Sequence, residues 1–466
     1  MIKFDEISIT GLFGRFNVSL PIMDNRIIIV GHNGIGKSTV LNAFYYVISS
    51  QWEKLREIHF ESLKIRAGRR VIAIEREWLL DMELHFRRSA LEWHDHTLSS
   101  SSLSRIASRL TKQDLKMLSA TRIPISSMRS IANRISVPMS AMEELSYNLR
   151  REMIDFSDSF HPKLKETEDY FDDNLEGRIL YLPTYRRIEK DIKSIFPEIE
   201  NEIQRAIRSR RTRGIGSKRD VYVELVNFGM EDVHVMIEEK METLRNLALS
   251  EIRSLSTRYL RDVIRNEANT YDPNRVRDFD QRDLRRIFAN VDESLLSQPD
   301  QNKIYEVIEK IKIGGNIEEN ERYVAHYISS LIDIGEEIAT REKPVHEFVR
   351  ICKSYLFEKK FRFDNSGYSL PIEYGDGDSV EMEDLSSGEK QIVSLFAHMT
   401  LDDSPSNYVI IDEPELSLSV DWQQKFLQDI SDLDSCAFVG AVTHSPFIFE
   451  NKLDEYAVDM ISCINQ

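Results

Sequence analysis

Apolar and polar residues change rhythm several times along this chain, and each rhythm predicts an element. Ile2, Phe4, Ile7 and Ile9 form a short apolar stretch that predicts a strand, with a turn over Gly11–Gly14. Arg26–Val30 is a continuous apolar run between Asn25 and Gly31, the pattern of a strand buried on both faces. After residues 31–37 the spacing becomes helical, with Leu41, Phe44, Tyr45 and Ile48 on one face. Val71–Glu77 and Arg178–Leu182 predict two further strands, the second closed by Pro183. From Val233 onward, Ile237, Met241, Leu244, Ala248, Ile252, Leu255, Tyr259 and Val263 recur at steps of three and four. That stripe predicts a long helix, packed on a neighbour in its own domain, or serving as an antiparallel helical arm or oligomer contact. Ser99–Ser104 reads as a loop, and Phe361–Val380 as a hairpin turning at Asn365–Gly367. Tyr408–Ile411 and Ala437–Val442 complete the strands. Strands that stop, give way to a charged helical stretch and then resume predict one split α/β domain. Its expected parts are an N-terminal lobe over 1–80, a mainly helical insertion over 81–345 with a core strand near 178–183, and a C-terminal lobe over 346–466.

Composition narrows the class. Of 466 residues, 41% are hydrophobic and 30% charged, enough for a sizeable core in a soluble protein. No apolar run has the length of a membrane span, and no basic-then-apolar leader opens the chain. Cys352, Cys436 and Cys463 lack metal-ligand spacing, as expected of reduced, mostly buried thiols in a cytoplasmic protein. A net charge of −17 argues against a surface wholly given to nucleic acid. Locally, however, seven of the fifteen residues Arg205–Arg219 are Arg or Lys. This stretch could contact DNA phosphates or an acidic protein, or it could be a solvated loop.

Four motifs carry chemistry. Gly31-His-Asn33-Gly34-Ile-Gly36-Lys37-Ser38 is a P-loop between the buried strand and the helix, and Thr39 extends it. Its glycines let the backbone curl around phosphate, the helix N-terminus adds positive potential, Lys37 reaches the β- and γ-phosphates, and Ser38 can ligate Mg2+. Asp412 and Glu413 end an apolar strand, placing one carboxylate for the metal and one as general base. Leu385-Ser386-Ser387-Gly388-Glu389-Lys-Gln391 opens an apolar helix with small residues, so Ser386, Ser387, Gly388 and the N–H at Glu389 can meet a γ-phosphate. Finally, Thr443-His444-Ser445 follows a strand and offers His444 as a γ-phosphate sensor.

In this order the motifs resemble those of the ABC ATPase superfamily, with Ser387 where its signature usually has glycine. Glu415–Ser419 is similar to its D-loop. No Q-loop is evident, since Gln51 follows the P-loop closely and Gln113 lies in a charged stretch. The resemblance implies an ABC-type head containing a P-loop and a mixed sheet, split by the helical insertion. It also implies ATP and Mg2+ as cofactors, ATP hydrolysis, and a homo-oligomer in which the signature of one copy faces the P-loop of another.

Within that superfamily the long insertion resembles the OLD, RecF and SMC group, although heptads long enough for SMC arms are absent. Gly14–Phe16, Tyr181–Glu189, Asn227–Asp232 and Glu413–Leu418 resemble the ATPase components of PARIS- and Septu-type bacterial anti-phage systems. This implies a sensor and scaffold that restrains a separate Toprim- or HNH-nuclease-like effector, or another toxin, until a phage-encoded trigger arrives. Arg186 and Arg187 could line an interface or make surface ion pairs. The alternative function is a RecF- or SMC-like DNA-repair ATPase that binds DNA directly.

Overall fold

The computed structural model describes residues 2–80, 128, 161–183, 222–224, 230–265, 267, 276–277 and 297–465. Ser99–Ser104, Gln113, Arg186, Arg187, Arg205–Arg219 and residues 227–229, on which the sequence raises expectations, lie outside them.

A six-stranded sheet forms the centre. Its strands β3 (Arg26–Val30), β6 (Arg178–Leu182), β7 (Tyr222–Glu224), β11 (Asn407–Asp412), β12 (Cys436–Val442) and β13 (Ala457–Asp459) run in the spatial order β13-β3-β12-β11-β6-β7. Every neighbouring pair is parallel. Because side chains alternate along a strand, a parallel sheet covered on both faces needs apolar residues at successive positions. Ile27 and Ile29 accordingly enter one core while Ile28 enters another. Tyr408 and Ile410 are likewise separated from Val409 and Ile411.

One face is covered by helix α1 (Lys37–Ile48) and by an antiparallel sheet of β1 (Phe4–Leu12), β2 (Phe16–Pro21), β4 (Ser62–Ala67), β5 (Arg70–Glu75) and β14 (Ile464–Asn465). Phe4 on β1, Phe44 on α1 and Phe438 on β12 meet with ring centroids 5.1–5.5 Å apart. Such pairs add about 0.5–1.5 kcal/mol each beyond burial, and these three join sheet, helix and sheet. Asn25 makes a second join. It accepts from the Phe4 N–H at 2.7 Å and donates to the carbonyls of Ile2 at 2.8 Å and Ala437 at 3.0 Å.

The other face carries helices α4 (Glu231–Ile264), α6 (Glu319–Lys353), α7 (Ser387–Thr400) and α8 (Val420–Ser431). In α4 the expected stripe is buried at Ile237, Met241, Leu244, Ala248 and Leu255. Its far end joins α5 (Gln298–Lys312) and α6 in a separate apolar cluster. Two smaller helices, α2 (Trp52–Glu57) and α3 (Pro162–Asn174), and a three-stranded antiparallel sheet are also among the described elements. That sheet orders β8 (Lys359–Phe361), β9 (Ile372–Tyr374) and β10 (Ser379–Val380) as β10-β9-β8.

The fold is therefore α/β with both parallel and antiparallel strands, divided between separate sheets. Two boundaries differ from expectation. The strand expected over Val71–Glu77 occupies Arg70–Glu75 and turns helical at residue 76. The Phe361–Val380 hairpin becomes three short strands, because a second turn at Gly375–Asp378 returns the chain to Ser379. The expected turn lies within an isolated bridge between Asp364 and Ser369. Among the described residues, no helix is long and apolar enough to cross a membrane.

Candidate functional site

Parallel strands deliver their following loops to one edge of a sheet, the edge where open α/β sheets hold ligands. Here β3, β12 and β11 are neighbours, so the loops after Val30, Val442 and Asp412 converge although they are far apart in sequence. Backbone bonds keep them in step. Thr443 donates to the Ile29 carbonyl at 3.2 Å and Glu413 to that of Val442 at 2.8 Å.

The P-loop curls because Gly34 and Gly36 adopt φ of 82° and 99°, where a side chain would be strained. Nothing lies within 4 Å of where a Gly34 Cβ would stand, leaving the loop open to a ligand. His32, Asn33 and Gly34 are exposed, while Gly31, Ser38 and Thr39 are half-buried. Lys37 opens α1 and is buried; its ammonium donates to the carbonyls of Gly31 at 3.0 Å and His32 at 2.8 Å. Burial pushes its pKa down, against the pull of the Asp412, Glu413 and Glu415 carboxylates.

The Ser38 hydroxyl donates to Asp412 Oδ1 at 2.9 Å. A hydroxyl and a carboxylate in contact beside a phosphate-binding loop suit Mg2+, which takes oxygen ligands and fills its octahedron from water and phosphate. Glu413 is half-buried, with a left-handed φ of 52°. Burial raises its pKa, as do neighbouring Asp412 and Glu415, while His444 and Lys37 oppose the rise. His444 is exposed.

The signature segment is built separately. Ser386 caps α7 by accepting from the Glu389 N–H at 3.3 Å, and Glu389 Oε2 accepts from the Ser386 N–H at 2.8 Å. Glu389 also receives the Lys359 ammonium at 2.9 Å. A Cβ on Gly388 would stand 2.5 Å from the Ser417 carbonyl oxygen, so glycine is what lets α7 lie against residues 415–419. Ser386 and Ser387 are exposed at the start of the helix. Among the described residues, no hydrogen bond or ion pair joins Ser386–Glu389 to residues 31–39.

Sequence reasoning missed Lys359 and Gln423, and read Glu415 only as the start of a D-loop-like segment. Lys359 holds the signature carboxylate. Glu415 and Gln423 bond the segment after β11 to the loop after β12. The available signal was Glu415 itself, an acid two residues after Glu413 and beside a buried Pro414. Gln51 sits at the start of α2 and donates to Ser49 Oγ at 2.8 Å, which offers no support for a Q-loop there. Cys352, Cys436 and Cys463 are free, and burial pushes the Cys436 thiol up to about 12.

A family model described as "AAA ATPase domain" matches residues 3–449. None of the curated proteins compared with the chain matches it. Among solved structures, the chain is similar to an Smc head domain with an extended coiled coil, bound to the C-terminal domain of ScpA, from Pyrococcus furiosus. That match has 11% identity and a TM-score of 0.34, and covers 99% of this chain and 94% of the other. An Smc head domain with a coiled coil and joint from Pyrococcus yayanosii matches at 16% identity and a TM-score of 0.28, covering 97% and 93%. Overlaps this loose say nothing more about this chain.

Proposed function

The chain belongs to the AAA ATPase domain family, and from that premise we propose that it is an ABC-type ATPase head. In this reading MgATP lies between Gly31–Thr39 of one copy and Ser386–Glu389 of a second, with the helical segments inserted into a single split head. One observation carries it. Lys37, the Ser38–Asp412 pair, Glu413 and the His444 loop gather at the ends of three adjacent strands, while the capped signature helix presents Ser386 and Ser387 outward.

When bound, MgATP supplies the phosphoanhydride whose terminal P–O bond is broken by water. The N–H groups of Gly34, Gly36 and Lys37 and the positive end of α1 hold the phosphates. Lys37 exchanges its two carbonyl partners for phosphate oxygens. Ser38 and Asp412 would hold the metal, and Glu413 would take the proton of the attacking water. His444 donates to a γ-phosphate oxygen, and the N-terminus of the partner's α7 closes the site from the far side.

The resemblance to PARIS- and Septu-type components supports a wider role. The nucleotide state of a cytoplasmic homo-oligomer would restrain or release a separate nuclease-like effector, with Arg205–Arg219 available to DNA or to a trigger protein.

The test combines sizing of the full chain with ATP turnover. Glu413→Gln should lose about a hundredfold or more in turnover and double in mass with MgATP, whereas Lys37→Ala should stay monomeric. Wild-type turnover in Glu413→Gln would remove Glu413 from the role of base. A pull-down of that variant from its host should recover a small nuclease-like protein. DNA and recombination proteins alone would move the chain to DNA repair.

A further inference from the structure

Residues 413–418 fold as two consecutive turns, with the N–H of Leu416 donating to the Glu413 carbonyl at 3.2 Å and that of Leu418 to the Glu415 carbonyl at 3.1 Å. Glu413 and Ser417 adopt left-handed φ values of 52° and 68°, a conformation non-glycine residues keep only where the surroundings impose it. The turns aim Glu415 across to the loop after β12. Its Oε1 accepts from the backbone N–H of His444 at 2.8 Å, and its Oε2 from the Thr443 hydroxyl at 2.7 Å. Thr443 is fully buried, and its hydroxyl in turn accepts from the Ser445 N–H at 3.0 Å. Ser445 Oγ donates to Gln423 Oε1 at 2.6 Å, and Gln423 Nε2 donates to the Leu418 carbonyl at 3.0 Å. The three residues of the His444 loop are thus bonded, one after another, to the segment that carries Glu413.

We propose that Glu415 is a positioning residue: its bidentate carboxylate sets the His444 loop relative to Glu413, and turnover depends on it through His444. The His444 side chain itself is exposed and gains its placement from the backbone beneath it. Among the described residues, three hydrogen bonds tie Thr443 and His444 to residues outside their own loop: Glu415 accepts from the Thr443 hydroxyl and the His444 N–H, and the Ile29 carbonyl accepts from the Thr443 N–H. The same turns lie against Gly388, so the clamp also links the His444 loop to the start of the signature helix. This inference rests on the reading of His444 as a γ-phosphate contact.

A position set by a bidentate carboxylate is sensitive to the length of the side chain and tolerant of its charge. In the full chain, Glu415→Asp keeps the charge but withdraws the oxygens by one methylene. Glu415→Gln keeps the length and one acceptor for the His444 N–H. Steady-state ATP turnover and binding of a fluorescent ATP analogue should be compared for Glu415→Ala, Glu415→Asp, Glu415→Gln, His444→Ala and the double variant Glu415→Ala/His444→Ala. The Ala and Asp variants should lose between about tenfold and a hundredfold in kcat, the effect of displacing a reacting group by about 1 Å, with KM and analogue binding within about twofold of wild type. Glu415→Gln should regain most of the loss, and the double variant should be no slower than the slower single variant. Losses that multiply in the double variant, or Asp and Gln variants in the reverse order, would overturn the positioning role and leave the site reading standing. Unchanged turnover in His444→Ala would overturn the site reading and this inference with it. If Glu415→Ala does not fold, the Asp and Gln variants, each also paired with His444→Ala, decide the matter.

Discussion

Lys359→Met removes a single ammonium from beneath the signature helix, and its cost can be worked from the surroundings. The Lys359 side chain is 14% exposed and the Glu389 side chain 6%. Hydrogen bonds to charged groups contribute about 1.5–3 kcal/mol, and stripping one partner from a fully buried ion pair costs about 3–5 kcal/mol. Glu389 would still accept from Ser386 N–H, and the pair is not fully buried, so the expected loss is about 2–3 kcal/mol. Burial alone would raise the pKa of Glu389; the Ser386 N–H and the Lys359 ammonium outweigh it and hold the carboxyl below its usual value of 4.5. A carboxyl depressed in the folded state stabilises above its unfolded pKa, and that contribution disappears as pH falls through the folded value. The gap between wild type and Lys359→Met should therefore be widest at neutral pH and narrow on acidification below about 4.5. Urea unfolding followed by tryptophan fluorescence at stepped pH reads both quantities. Lys359→Met/Glu389→Gln should recover most of the lost stability, because no unpaired charge then stays buried. Equal stability of Lys359→Met and wild type at pH 7, or a gap that does not change with acid, would refute the reasoning.

Other expectations rest on single contacts. Gly388→Ala puts a methyl 2.5 Å from a backbone oxygen that cannot swing aside. It should cost about 1–3 kcal/mol and slow turnover while leaving nucleotide-analogue binding intact, and wild-type turnover would show that α7 need not lie against Ser417. Lys37→Ala should weaken MgATP binding by at least about tenfold in a fluorescence titration. Without nucleotide it should unfold at no lower urea concentration than wild type, since burial already disfavours its charge. Thiol reagents at neutral pH should leave Cys352 unmodified until the protein unfolds, because it is fully buried and burial holds its thiol protonated; rapid labelling in native protein would contradict that packing.

What the sequence settled by itself was local. Arg26–Val30 and Arg178–Leu182 could be delimited to the residue, because each is a short, largely apolar run closed by a breaker, Gly31 or Pro183, and too short for a buried helix. A helix after residues 31–37 was also legible, since the P-loop pattern marks where it starts to within a residue of Lys37, although its end was not. The candidate motifs were legible for a related reason: each is a short local run whose residue types and spacing can be read without knowing the rest of the fold. Strand adjacency was not legible. The order β3-β12-β11 brings Ser38 to Asp412 across most of the chain, and no local period encodes which parallel strands become neighbours. The same holds for Lys359 against Glu389, Asn25 between two sheets, and Glu415 beneath the His444 loop. Each is a polar side chain whose partner is chosen by packing. In a chain that is 30% charged, Lys359 and Glu415 are indistinguishable by sequence from solvated charges, and Asn25 from a loop residue; only the tertiary structure packs them and assigns their hydrogen bonds.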